Sequence, residues 1–257
     1  MTQSLLVTRE AAWKAALAST GQLPPGSSRM LYGSQARGSA TFDSDVDLLV
    51  VTDALSDGWS SGSLSVSVYH PDHLEKMSRR GSLFILHLKQ EGIILDDASG
   101  ALKRIIDSYR PPASYEPLYS ELRAAGQALD IRALDSKHAV ALLKLGIYLV
   151  RTAAFARLAE LGEPQFDSDK VASAIESHAV TAVLRDRKKL NNMSERIAYA
   201  RRALEFLTGG DPLVNPYGSI EALAVVHTGT RPYAANLLSH AIAGGVLKYS
   251  SLTPPPL

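Results

Sequence analysis

Cysteine is absent from all 257 residues. That excludes thiol nucleophiles, cysteine-ligated zinc and disulfide staples. An excess of charge of either sign is also lacking: 27 Lys and Arg meet 26 Asp and Glu, and the formal net charge is +1. Global charge therefore names no polyanionic or polycationic partner. No stretch approaches eighteen uninterrupted apolar residues, so the sequence predicts no membrane span. The opening Met1-Thr2-Gln3-Ser4-Leu5-Leu6-Val7-Thr8-Arg9 has no basic start and no long apolar run, and no signal peptide is expected. These absences fit a cytoplasmic location. Hydrophobic residues make up 46% of the chain, enough for one large domain or two modest ones with real cores.

What is present is concentrated near the N-terminus. Leu31-Tyr32-Gly33-Ser34-Gln35-Ala36-Arg37-Gly38 reads as a strand, a glycine turn and a short helix. Ser44-Asp45-Val46-Asp47-Leu48-Leu49-Val50-Val51 reads as a loop and a second strand. Alternation places Asp45 and Asp47 on one side of that strand and Val46, Leu48 and Val50 on the other. Two acids side by side on an apolar strand cost stability unless a positive charge sits between them. A divalent metal is the usual reason. Gly33 lets the backbone approach phosphate oxygens, Ser34 offers a hydroxyl, and the free N–H groups of the following helical turn suit an anion. Arg37 is placed to contact a phosphate or to support the turn. Ser44 is placed to cap the loop or to touch a nucleotide. Each motif alone also has an ordinary reading, as a helix start and a solvated strand edge. Their order and spacing together favour a phosphate and metal site.

Gly33-Ser34, ten intervening residues and then Asp45-Val46-Asp47 resemble the signature of the polymerase-beta-like nucleotidyltransferases. The longer string around these residues is similar to the stand-alone bacterial members with a helical C-terminal domain. The resemblance is strong over residues 28–52 and weaker out to 107. It implies attack of an acceptor hydroxyl on the α-phosphate of an NTP, with release of pyrophosphate. Asp45 and Asp47 would be the catalytic metal ligands for Mg²⁺, or Mn²⁺, and Gly33, Ser34, Arg37 and Ser44 the nucleotide contacts. Family members usually carry a third carboxylate on the next strand. The matching segment here is Leu64-Ser65-Val66-Ser67-Val68-Tyr69, with serines at the expected positions. Asp53 shares a face with Asp45 but lies about 26 Å along the strand at ~3.3 Å per residue. Asp72, Asp96 and Asp97 are remote candidates. Three situations stay open: an enzyme with two acids, one that recruits a carboxylate from elsewhere, or a nucleotide-binding relic.

The expected fold is α+β: a small mixed-sheet nucleotidyltransferase-like domain over 1–110, an all-α helical bundle over 115–250, and a tail at 251–257. A helix is expected at 8–19, strands near 28–33, 45–52 and 63–70, and a loop from Ser56 to Gly62. Helices opening at Pro71 and at Ser82, a strand at Ile93-Ile94-Leu95 and a helix near 100–109 complete the first domain. Arg110-Pro111-Pro112 marks the boundary. Seven helical segments follow, near 116–130, 136–161, 167–177, 180–190, 194–208, 219–227 and 232–246. The longest carries Leu142, Leu145, Gly146, Leu149 and Ala153 on a core face. In resembling enzymes such a helical domain packs beside the active site and supplies acceptor contacts.

The acceptor is less legible. Residues 180–205 hold seven basic residues against three acids, which suits an RNA or tRNA end, although a solvated helical face explains the same run. A small hydroxylated molecule, such as an aminoglycoside-like antibiotic, and a partner protein's side chain are the other acceptors implied. The alternative class is a catalytically weak nucleotide-binding protein acting through a partner, as in a toxin–antitoxin or phage-defence pair. His87, in an apolar run, reads as a hydrogen-bonded core histidine, and His70-Pro71-Asp72-His73 as turn and cap. Arg132 and His138 near a helix start resemble a ribonuclease pairing but recur by chance.

Overall fold

The computed structural model describes residues 26–41, 44–54, 57–130, 138–186, 189–190 and 192–244. The helix expected at 8–19, the tail at 251–257 and Arg132, Arg187 and Lys188 lie outside the described residues. The chain divides into two compact units, Met1–Pro112 and Ala113–Leu257.

The first unit is built on five strands. They are β1 (Ser28–Tyr32), β2 (Val46–Val51), β3 (Trp59–Ser61), β4 (Leu64–Tyr69) and β5 (Ile93–Asp96), in the order β3-β4-β2-β1-β5. β2 and β4 are parallel, and the remaining pairs are antiparallel. This is the mixed sheet expected from the sequence. β2 is central, and Leu48, Leu49 and Val50 are fully buried, as in a strand covered on both faces. Between β1 and β2 lies the five-residue helix α1 (Gly33–Arg37). α2 (Pro71–Arg79) starts with proline at its first turn, where the missing N–H costs nothing, and the His70 ring nitrogen accepts from Asp72 N at 3.2 Å. α3 (Leu83–Glu91) is capped by Ser82, and α4 (Ala101–Asp107) follows β5.

Register decides which side chains share a face. Tyr32 lies opposite Asp47, and Asp47 lies opposite Ser65. Tyr32, Asp47, Leu49, Ser65, Ser67 and Tyr69 therefore share one side of the sheet. Phe84 of α3 packs there, edge-on to Tyr32 and stacked on Tyr69, each at 5.6 Å between ring centroids. One expectation is corrected. The segment read as a loop contains β3, because a two-residue Gly62-Ser63 turn pairs Ser61 with Leu64 and folds Trp59–Ser61 onto the sheet edge.

In the second unit the described residues form α5 (Glu116–Gly126), a 3₁₀ turn at Gln127–Leu129, α6 (Ala139–Glu160), α7 (Ser168–Ala174), α8 (His178–Leu184), α9 (Met193–Thr208), α10 (Ile220–His227) and α11 (Pro232–Ile242). The 22-residue α6 is long and apolar enough to cross a bilayer, with mean hydropathy 1.6 over its best window. However, 67% of that window is buried inside the protein, which is the packing of a core helix. α6 and α9 approach closely at Gly146. A methyl group there would stand 2.8 Å from the Ala200 Cβ. Tyr148 of α6 is buried, its hydroxyl 2.8 Å from that of Tyr233.

Candidate active site

Gly33 follows the last residue of β1 and opens α1 with φ of +73°, in the left-handed region. A methyl group on its Cα would meet Asp47 Oδ2 at 2.6 Å. Glycine is therefore required twice, by the backbone conformation and by the carboxylate pressed against it. Asp47 reaches that place because β1 and β2 pair antiparallel with Tyr32 opposite it. Asp45 stands one residue ahead of β2 and is exposed. Ser34 is half-buried, and its carbonyl accepts from Ser39 N at 3.0 Å, which closes the turn after α1.

The other two expected nucleotide contacts have structural work of their own. Arg37 donates to Ser39 Oγ at 3.1 Å and forms an ion pair with Glu91 at the end of α3. It ties the glycine turn to that helix. Ser44 Oγ accepts from Thr41 N at 2.8 Å, and Ser44 N donates to the Thr41 carbonyl at 3.1 Å. It closes the loop leading to Asp45.

Sequence reasoning missed Glu91 and Tyr32. Glu91 Oε2 also lies 2.9 Å from His87 Nε2, and all three side chains of this triad are largely buried. Burial pushes the Glu91 carboxyl up. The hydrogen bond from His87 and the charges of His87 and Arg37 outweigh that, and the group titrates below its ordinary value. His87 thus has the hydrogen-bonded role read from its apolar run, and its ring lies edge-on to Tyr32 at 5.9 Å. The Tyr32 hydroxyl is 3.1 Å from Ser67 Oγ. Burial, and secondarily the Asp47 carboxylate, push its pKa well up, so Tyr32 is neutral throughout the physiological range. A glutamate four residues after His87 was the available signal for the His87–Glu91 contact. Nothing local pointed to Arg37, 54 residues away.

The remote acids stay remote. Asp53 and Asp72 flank His70 at 3.5 and 3.7 Å, beyond the C-terminal ends of β2 and β4, whereas Asp45 and Asp47 sit at the start of β2. Asp96 pairs with Arg29. Asp97 accepts from Ser28 Oγ, Leu102 N and Lys103 N, which anchors α4. Among the described residues no group of three or more His, Asp or Glu is placed to hold a metal ion. Ser65 occupies the position beside Asp47. Among the described residues, then, β4 sets a hydroxyl rather than a carboxylate beside Asp47.

Residues 17–94 match the family model of the nucleotidyltransferase domain. The matched segment contains the glycine turn, both aspartates and the serine-bearing β4. A crystal structure of a nucleotidyltransferase-like protein from Exiguobacterium sibiricum 255-15 is similar at 17% identity, over 78% of this chain and 74% of that one, with a TM-score of 0.30. No curated protein matches this chain.

Two outcomes follow from the geometry. Gly33→Ala is expected to cost about 2 kcal/mol in urea denaturation, from the left-handed backbone and the contact with Asp47. In Gly33→Ala/Asp47→Ala the contact is gone, and the double variant should be at least about 0.5 kcal/mol more stable than the two single losses predict. Strict additivity would contradict the packing of Asp47 on Gly33. Separately, Glu91→Gln should destabilise by about 2 kcal/mol near neutral pH. Because the folded carboxyl titrates below its ordinary value, its stabilisation is complete above that value and fades as pH falls through the folded one. The gap between wild type and Glu91→Gln should therefore close in acid, as read by denaturation at a series of pH values. A gap that persists in acid would contradict this assignment.

Proposed function

We propose that the chain moves an NMP from an NTP to an acceptor hydroxyl. The acceptor hydroxyl gives up its proton to solvent as its oxygen forms a bond to the α-phosphorus, the bond from that phosphorus to the bridging oxygen breaks, and pyrophosphate leaves. The observation that carries this reading is the Asp47 carboxylate seated on Gly33, one residue after the end of β1 and within the segment that matches the nucleotidyltransferase domain. Asp45 and Asp47 would hold Mg²⁺ or Mn²⁺, which supplies charge neutralisation to the triphosphate. Gly33 and Ser34 line the place where phosphate oxygens come closest to the backbone. Arg37 acts as a positioning residue, held by Glu91 rather than free to follow a phosphate. Tyr32, neutral and bonded to Ser67, forms the dry wall beside Asp47. The residues named contribute placement and a fixed electrostatic setting.

For the acceptor, the basic stretch gives RNA less support than its composition suggested. Arg201 is paired with Asp130 at 3.0 Å and Glu205 at 3.1 Å, Arg196 donates to the Leu190 carbonyl, and Lys189 lies 2.9 Å from Asp186. A small hydroxylated molecule or a protein side chain stands beside an RNA end on equal terms.

A second reading is favoured by one observation. Ser65 stands beside Asp47 where resembling enzymes carry an acid, which suits a nucleotide-binding protein that acts through a partner. The two are separated by offering each α-labelled NTP with Mg²⁺ or Mn²⁺ to pooled acceptors: total RNA, tRNA, aminoglycosides and the protein itself. The transfer reading expects label on one acceptor, reduced about a hundredfold or more in Asp45→Ala/Asp47→Ala. No transfer by a protein that still binds NTP would overturn it in favour of the second reading.

A further inference from the structure

At one end of the helical unit lies a cavity of about 640 Å³, within the range of small-molecule sites. α6, α7 and α9 all bring their C-terminal ends to its wall, at Glu160 and Leu161, Ala174 and Ile175, and Thr208 and Gly209. The start of α5 closes it with Glu116 and Tyr119. Two features are unusual for a surface hollow. Its rim exposes large apolar side chains, Phe206 at 58% and Leu161 at 60% of their full area. Its formal charge is also net negative, two carboxylates against one guanidinium. Each helix C-terminus carries a partial negative charge, about half an elementary charge for a long helix. Two carboxylates, Glu116 and Glu160, face one guanidinium, Arg157, which lies 3.6 Å from Glu160. The neighbouring Arg123 donates to the carbonyls of Gly209 and Asp211, which offsets the end of α9 and leaves the ends of α6 and α7.

Glu160 is held in place from behind. Its Oε2 accepts from the Tyr119 hydroxyl at 2.9 Å, and its Oε1 accepts from Tyr115 N at 3.3 Å. A carboxylate has about four acceptor sites, so capacity for a further donor remains. Tyr119 stays protonated, because burial and then the Glu160 carboxylate push its pKa up. An anion would meet two carboxylates and the ends of α6 and α7, with Arg157, itself beside Glu160, as its counter-charge in the wall, and a neutral ligand would leave the net charge unused.

We propose that this cavity binds a small organic cation, an ammonium on an apolar ring-sized body. The ammonium lies at Glu116 and Glu160, and the body lies against Phe206 and Leu161. Carboxylates for the charge and exposed apolar side chains for the body are the complementary groups for such a ligand. The inference concerns the helical unit alone and stands independently of the transfer reaction.

The test is calorimetric titration of the full chain with phenethylammonium near neutral pH, with phenethyl alcohol and phenylacetate as the neutral and anionic counterparts. The expected result is saturable binding of one phenethylammonium per chain. The alcohol should bind at least about tenfold more weakly, the fold-change of a lost charge-assisted hydrogen bond, and phenylacetate should show no saturation. Glu116→Gln and Phe206→Ala both alter exposed side chains, so the fold should survive, and each should weaken the ammonium about tenfold, the first through lost charge and the second through lost apolar burial. Glu160→Gln, checked for folding by circular dichroism, should do the same. No saturable binding of phenethylammonium, equal affinity for the alcohol, or unchanged affinity in both Glu116→Gln and Phe206→Ala would overturn the proposal.

Discussion

The N-terminal unit turns on one close approach, that of the Asp47 carboxylate to the Cα of Gly33. Three independent features converge on it. The antiparallel register of β1 and β2 sets Asp47 opposite Tyr32. The left-handed backbone at Gly33 swings the chain out of β1 and straight into α1. The absence of a side chain at Gly33 leaves room for the carboxylate oxygen. Change any one and the acid can no longer sit beside the turn. Asp47 is half-buried there, and a carboxylate held partly out of water is costly unless it is paired or hydrogen-bonded.

Around that contact the unit is braced by a second set of interactions that have no part in chemistry. Arg37 at the end of α1 meets Glu91 at the end of α3, and Glu91 also holds His87 one turn earlier. The same helix presents Phe84 to Tyr32 and Tyr69. α3 therefore grips the sheet by aromatic packing at one end and the glycine turn by charge at the other. The turn is held from outside, as precise placement requires when catalysis rests on positioning.

Much of this was legible in the sequence, for local reasons. Gly33-Ser34 and the alternation of Asp45, Asp47 and the valines carry their own signals, a turn residue and a period of two. Pro71 and Ser82 mark helix starts by the chemistry of the first turn. The third-acid gap was visible because Val66 and Val68 fixed the alternation of β4 and left serines opposite. What was not legible depended on distant partners. Arg37 meets Glu91 across 54 residues, and Arg201 meets Asp130 across 71, so part of a basic stretch that reads as a polyanion surface is paired in place. β3 was hidden because Ser61, Gly62 and Ser63 have loop composition, and only pairing to β4 makes a strand of the residues before them. Tyr32 read as one more strand residue until register put it against Asp47.

The central claim is that Asp45 and Asp47 form a metal site completed by the phosphates of a nucleotide. The most direct measurement is Mn²⁺ uptake followed by electron paramagnetic resonance, with and without a non-hydrolysable NTP analogue, in wild type and in Asp45→Ala/Asp47→Ala. The account predicts nucleotide-dependent Mn²⁺ binding in wild type that disappears in the double variant while the fold is kept. Mn²⁺ binding that is unaffected by removing both aspartates, or absent from wild type with the analogue present, would contradict it.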